Sequence, residues 1–190
     1  MKREFIIGGK KISQEGRPWI CAEIGGNHNG SVDLCKSLIF RAKANGADAV
    51  KLQKRFPKTL FTKKLYDSPY DGPNSFGPTY GTHREALEFD KSEWFELFNF
   101  AEKQQIMLFS TAFDAESVDF LEQFDPPTYK VASGCLKDTP LIEKMASLRK
   151  PLKACLRIIE TSSNENDNVL IPFAGSGSYR DWETDRKSVV

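Results

Sequence analysis

Short apolar runs alternate along the chain with segments whose apolar positions recur at helical spacing, the signature of strands interleaved with amphipathic helices. Trp19-Ile20-Cys21-Ala22 leads into Glu23, and Ala49-Val50 into Lys51-Leu52-Gln53. Ile106-Met107-Leu108-Phe109 leads into Ser110-Thr111, and Tyr129 runs through Lys130-Val131-Ala132 into Ser133-Gly134. Such runs suit strands buried on both faces, as in a parallel sheet. Between them, Ser31 offers an N-cap for a helix carrying Leu34, Leu38, Ile39 and Ala42, with Gly46 as the stop. Asp90 and Glu93 form a capping-box pattern ahead of Trp94, Leu97, Phe98 and Ala101. Asp114 caps a segment with Val118, Leu121 and Glu122, which Pro126-Pro127 ends. Thr139 reads as the next cap, with Pro140 in the first helical position and Leu141, Ile142 and Met145 facing inward.

Four strand–helix units are thus visible before about residue 150, and each implies a right-handed crossover between parallel strands. Ahead of them, Phe5-Ile6-Ile7-Gly8-Gly9-Lys10-Lys11-Ile12 reads as a β-hairpin with its turn at the glycines, placed to close the bottom of a barrel. The predicted fold class is α/β, a partial, truncated TIM-type β/α barrel with an N-terminal β-hairpin. The chain has 190 residues, against roughly 250 for a closed eight-stranded barrel. Residues 54 to 89 break the rhythm with Pro57, Pro69, Pro73 and Pro78 and with Gly72, Gly77 and Gly81. A loop this long is functional or disordered. Its many aromatics argue against disorder, so it is expected to lie over the mouth of the site.

Charge narrows the functional classes. Lys and Arg number 27 against 26 Asp and Glu, so neither a nucleic-acid surface nor an acidic-membrane surface is implied. No apolar run is long enough to span a bilayer, and charged Lys2, Arg3 and Glu4 leave no signal-peptide core. Cys21, Cys35, Cys135 and Cys155 form no metal-ligand spacing and read as reduced thiols of a cytoplasmic protein.

The carboxyl ends of barrel strands are where active sites lie, and these ends carry chemistry. Lys51 and Lys130 stand inside otherwise apolar runs, although lysine is rarely buried. Either one alone reads equally well as a side chain snorkelling to solvent. Two ammonium groups converging with the hydroxyls of Thr111 and Ser133 would form a site for a phosphorylated anion. Glu23 reads either as a structural partner of Lys51 or as a carboxylate that holds sugar hydroxyls or moves a proton. The turn Gly25-Gly26-Asn27-His28-Asn29-Gly30 lacks both the P-loop and the Rossmann spacing. His28 is either a ligand or acid–base group, or a residue bonded to the loop backbone. His83 with Arg84 in the long loop is a further candidate for meeting an anion.

Taken together, Ala22-Glu23-Ile24-Gly25-Gly26-Asn27-His28-Asn29-Gly30, Gly46-Ala47-Asp48-Ala49-Val50-Lys51-Leu52-Gln53, Ser110-Thr111-Ala112-Phe113-Asp114 and Tyr129-Lys130-Val131-Ala132-Ser133-Gly134 resemble the sialic acid (N-acetylneuraminate) synthase family over about residues 5 to 151. The resemblance implies phosphoenolpyruvate-dependent condensation with N-acetylmannosamine or a related N-acylated amino sugar, giving N-acetylneuraminate or another nonulosonic acid. At matching positions Lys51, Gln53, Thr111, Lys130 and Ser133 would bind phosphoenolpyruvate, and Glu23 would contact the sugar and assist proton movement. It also implies a divalent metal, manganese or magnesium, whose ligands are absent from this chain, and a homodimer completed by a small C-terminal domain. Cys135 departs from the pattern, standing where many members carry a glutamate.

Residues 152 to 178 resemble a DNA adenine or cytosine-N4 methyltransferase fragment. The resemblance rests on Phe173-Ala174-Gly175-Ser176-Gly177, with Ile171 in place of the usual acidic residue and no catalytic motif. Residues 179 to 190 form an unrelated tail, ending in an Asp185-Arg186-Lys187-Ser188-Val189-Val190 peptide of the kind encoded by a sequencing adapter. The expected domain organisation is therefore a synthase-like half-barrel over 1–151 joined, near Lys150-Pro151, to an unrelated end, with the isolated chain inactive. The rival readings are another phosphate-binding barrel enzyme such as an aldolase, and a non-catalytic sugar-phosphate binding module.

Overall fold

The computed structural model describes residues 4–13 and 15–154. Of the methyltransferase-like reading of 152–178 only residues 152–154 are described; the rest of it, and the unrelated tail 179–190, lie outside the described residues. Strands β1 (Glu4–Ile7) and β2 (Lys10–Ser13) form the antiparallel hairpin. Gly8 and Gly9 both adopt positive φ, which the two-residue turn requires. A side chain at Gly8 would meet Met107 Sδ at 2.6 Å and Pro127 at 3.4 Å, so the turn abuts the entrances of two later strands. This is the bottom-closing position expected.

Strands β3 (Cys21–Gly25), β4 (Ala49–Lys54), β5 (Met107–Ala112), β6 (Tyr129–Val131) and β7 (Leu152–Ala154) form one parallel sheet in chain order. A strand order that never reverses is that of a barrel wall, not of a doubly wound sheet with its switch point. β7 opens the stretch that the sequence separates from the barrel. Its backbone pairs Tyr129 with Leu152 and Val131 with Ala154, and Leu152 packs on the core. The turn before it is tied down as well: Lys150 pairs with Glu122 at 2.8 Å and Asp125 at 2.7 Å, and Thr128 Oγ1 donates to Pro151 O at 2.6 Å.

Helices α1 (Val32–Ala44), α5 (Lys91–Lys103), α6 (Ala115–Glu122) and α7 (Thr139–Ser147) follow β3, β4, β5 and β6. Their apolar stripes meet Val50, Leu52, Leu108, Ala112, Tyr129 and Val131 in one core with Trp94, Leu97, Val118, Leu121 and Met145. Ser31, Asp90 and Asp114 cap as expected, and the Asp90–Glu93 box is complete. Two local expectations shift. Leu34 is exposed while Cys35 is fully buried, so Cys35 takes the inward place expected of Leu34, and Leu38, Ile39 and Ala42 face the core as expected. Asp138 rather than Thr139 caps α7, its carboxylate accepting from Leu141 N at 3.1 Å, because a carboxylate one residue earlier reaches the free amide.

The long segment after β4 is folded. It contains the short helices α2 (Pro57–Leu60), α3 (Lys63–Tyr66) and α4 (Tyr80–Glu85), together with a bridge between Pro69 and Thr79. Its rings pack on one another: Tyr70 lies 4.5 Å from His83 and Phe61 lies 5.1 Å from Tyr80.

Candidate functional site

Side chains alternate along a strand, so the positions flanking Val50 and Leu52 point away from the helices. Across the sheet, Glu23 pairs in register with Lys51, and Gln53 with Thr111 and then Lys130. The helix-covered face is mainly apolar, with Lys54 and Ser110 its polar members on β4 and β5, whereas this opposite face carries a carboxylate, two lysines, an amide and a hydroxyl near the carboxyl ends of the strands.

Lys51 is buried, and its ammonium forms an ion pair with Glu23 Oε2 and donates to Thr111 Oγ1 at 2.9 Å. The other Glu23 oxygen, Oε1, is buried and accepts no hydrogen bond among the described residues. Such an oxygen is costly to leave empty. Gly25, with φ of +57°, brings the chain past this point. A Cβ there would lie 3.3 Å from both Glu23 Oε1 and Gln53 Nε2, so these two polar atoms flank the same spot. Lys130 is half-buried beside Thr111 on the next strand. Ser133 is exposed and opens a 3₁₀ turn, Ser133–Cys135, directly after β6. The structure thus joins Glu23, Lys51 and Thr111 by direct contacts, sets Gln53 and Lys130 in the row beside them, and holds Ser133 just beyond.

The histidines are occupied elsewhere. His28 stacks on Phe89 at 4.2 Å, accepts from Gly30 N at 3.1 Å on Nδ1 and hydrogen-bonds the Gly25 backbone. Burial lowers its pKa to about 4, so it stays neutral. It fastens the 25–30 turn, the loop-backbone alternative of the two open for it. His83 is buried between Tyr70 and Phe76 and accepts from Phe76 N at 3.1 Å; burial, with Arg84 and Arg55 nearby, lowers its pKa. It holds the long loop together. Cys135 is half-buried with its thiol on Phe113 O at 3.6 Å, and burial raises its pKa. Among the described residues no three His, Cys, Asp or Glu side chains converge as metal ligands. No described helix is long and apolar enough to cross a membrane.

Three residues of the site's surroundings, Lys54, Arg55 and Glu88, escaped the sequence reading. Arg55 is buried, donates to Gln53 Oε1, pairs with Glu88 at 3.6 Å and lies 4.4 Å over the Phe113 ring. Burial raises the Glu88 carboxyl, against the pull of Lys54 and Arg55, and burial also lowers Arg55. The one signal for Arg55 was its spacing from Lys51 and Gln53, just past the end of β4, and nothing in the pattern marked Lys54 or Glu88.

Comparison with known proteins fits this geometry. The model of the NeuB family matches residues 38–160, well over half of the chain and the strands that carry Lys51, Gln53, Thr111 and Lys130. The chain belongs to the NeuB family. It is 36% identical over 147 residues to the human N-acetylneuraminate-9-phosphate synthase, covering 77% of this chain and 41% of that protein. It is also 36% identical over 137 residues to the N,N'-diacetyllegionaminic acid synthase of Legionella pneumophila, covering 70% of this chain and 38% of the relative. The chain therefore spans about two fifths of these NeuB-family relatives. Among solved structures, it superposes on the N-acetylneuraminic acid synthetase of Leptospira borgpetersenii with a TM-score of 0.67 at 25% identity, covering 85% of this chain and 54% of that one. The NeuB match runs past residue 151 and includes β7.

Proposed function

We propose that this chain supplies the anion-gripping wall of a nonulosonic acid synthase, an enzyme that condenses phosphoenolpyruvate with an N-acylated amino sugar such as N-acetylmannosamine. The observation that carries the reading is the Glu23–Lys51–Thr111 cluster, with its buried, unsatisfied carboxylate oxygen, on the polar face of a NeuB-family sheet. In this reading Lys51, Lys130, Thr111, Ser133 and Gln53 hold the phosphate and carboxylate of phosphoenolpyruvate. Each ammonium–phosphate contact contributes about 4 kcal/mol of attraction at 4 Å and an effective dielectric of 20, before desolvation is charged against it.

The reaction forms a C–C bond from C3 of phosphoenolpyruvate to the aldehyde carbon of the open-chain sugar, whose oxygen takes up a proton. Water adds at C2, the C2–O bond to phosphate breaks, and inorganic phosphate leaves as C2 becomes the ketone. Glu23 is the group placed to hold a sugar hydroxyl or move a proton at its free Oε1. The family expectation includes manganese or magnesium; the described residues do not form its ligand set, and no step is routed through it. The same site on a complete homodimer would carry turnover, and the isolated chain is expected to bind without turning over.

Isothermal titration of the chain with phosphoenolpyruvate tests the reading. Saturable binding that is lost in both Lys51→Met and Lys130→Met supports it. An absence of binding by a folded wild-type chain, or binding unaffected by either substitution, refutes it.

A further inference from the structure

We infer that Arg55 is a positioning residue that sets which end of the Gln53 amide faces the site. The inference deepens the anion-binding reading above and rests on it only for the ligand. A guanidinium can donate hydrogen bonds but cannot accept them. Because Arg55 bonds the Gln53 side chain, the amide end turned to it must be the oxygen, Oε1. The amide nitrogen is then turned the other way, toward the spot beside Gly25 that it shares with Glu23 Oε1. Left to itself a glutamine amide presents either end. An acceptor in this row would repel an anion held by Lys51 and Lys130, while a donor would add to their grip.

Arg55 is itself held by Glu88 and Phe113. Glu88 Oε1 lies 3.6 Å from its Nε, its backbone N–H donates to Glu88 Oε2 at 3.2 Å, and its guanidinium lies against the Phe113 ring. Glu88 in turn is anchored by Lys54 at 3.2 Å. A charge so deeply buried would be expelled without these partners. The arrangement therefore keeps a donor-only group fixed behind Gln53, and the long loop that delivers Glu88 takes part in orienting a side chain of the sheet.

The test has one readout that needs no ligand and one that does. The side-chain amide resonances of Gln53 are recorded in 15N-labelled wild-type chain, Arg55→Met and Arg55→Lys, and phosphoenolpyruvate affinity is titrated in each. Arg55→Met should shift or double the Gln53 amide signals and weaken binding about ten-fold. Arg55→Lys, still a pure donor, should preserve the signals and lose less than about three-fold. In a Gln53→Leu background, Arg55→Met should add nothing to the loss of affinity. Unmoved Gln53 signals in Arg55→Met, or an equal further loss in the Gln53→Leu background, would overturn the inference. If Arg55→Met does not fold, Arg55→Gln, which can accept as well as donate, should double the Gln53 signals, and a single unshifted set would overturn the inference. Moved signals with no phosphoenolpyruvate binding by wild type would leave the positioning role standing and defeat the proposed function instead.

Discussion

Lys51 and Lys54 lie on the same strand, both are buried, and they face opposite sides of the sheet. On the helix-covered side, the Lys54 ammonium pairs with Glu88 at 3.2 Å, donates to Phe89 O at 3.1 Å and lies under 5 Å from the ring centres of Phe56 and Phe120. Its charge is surrounded and fully used. On the open side, Lys51 has a carboxylate and a hydroxyl, and that carboxylate keeps one oxygen unsatisfied. Burial of a lysine is thus common to structure and function. What separates them is whether the surrounding groups complete each other or leave a bond to be made.

Removing the enclosed charge should have the largest effect on folding. Lys54→Ala should cost about 3–5 kcal/mol in urea denaturation, because Glu88 loses a partner in a buried site. An unchanged midpoint with lost anion affinity would reverse the roles assigned to the two lysines. Next comes acid. The folded-state pKa of His28 is about 4 against 6.5 unfolded, so the unfolded chain binds the proton more readily. Its stabilising contribution is complete above about pH 6.5 and declines as pH falls toward 4, by about 3 kcal/mol in all. Urea midpoints between pH 7 and 4 should show this slope in the wild-type chain, and His28→Asn should flatten it. Lys51→Met is expected to cost less stability, about 1–3 kcal/mol, yet to reduce phosphoenolpyruvate affinity at least ten-fold. Equal stability losses for the two lysine variants, with binding intact in both, would erase the contrast. Smallest is Asp90→Ala, which removes the cap beside Phe89. It should cost about 1 kcal/mol and leave anion binding as it was.

The barrel-wall order was legible because strands buried on both faces write themselves as apolar runs, and because Asp90, Asp114 and Ser31 mark helix starts by side-chain chemistry. Glu23, Lys51 and Thr111 stood out as polar residues at the ends of such runs. Lys54 and Arg55 did not, since they follow Gln53 where an exposed turn reads equally well. Glu88 and Phe89, a long loop away in sequence, and the rings of Phe113 and Phe120 enclose that position. Leu34 and Thr139 show the finer limit. Leu34 and Cys35 are adjacent apolar residues of α1, and Asp138 and Thr139 are adjacent capping residues ahead of α7, so in each pair the pattern alone does not choose between neighbours.

The row of Gln53, Thr111, Lys130 and Lys153 crosses four neighbouring strands. At about 4.8 Å per strand it measures about 14 Å along the sheet. A three-carbon anion is shorter than that ruler and can engage only part of it at once. Length, then, works beside charge: a ligand lying across several strands of this row meets a different set of positions from one seated at a single strand.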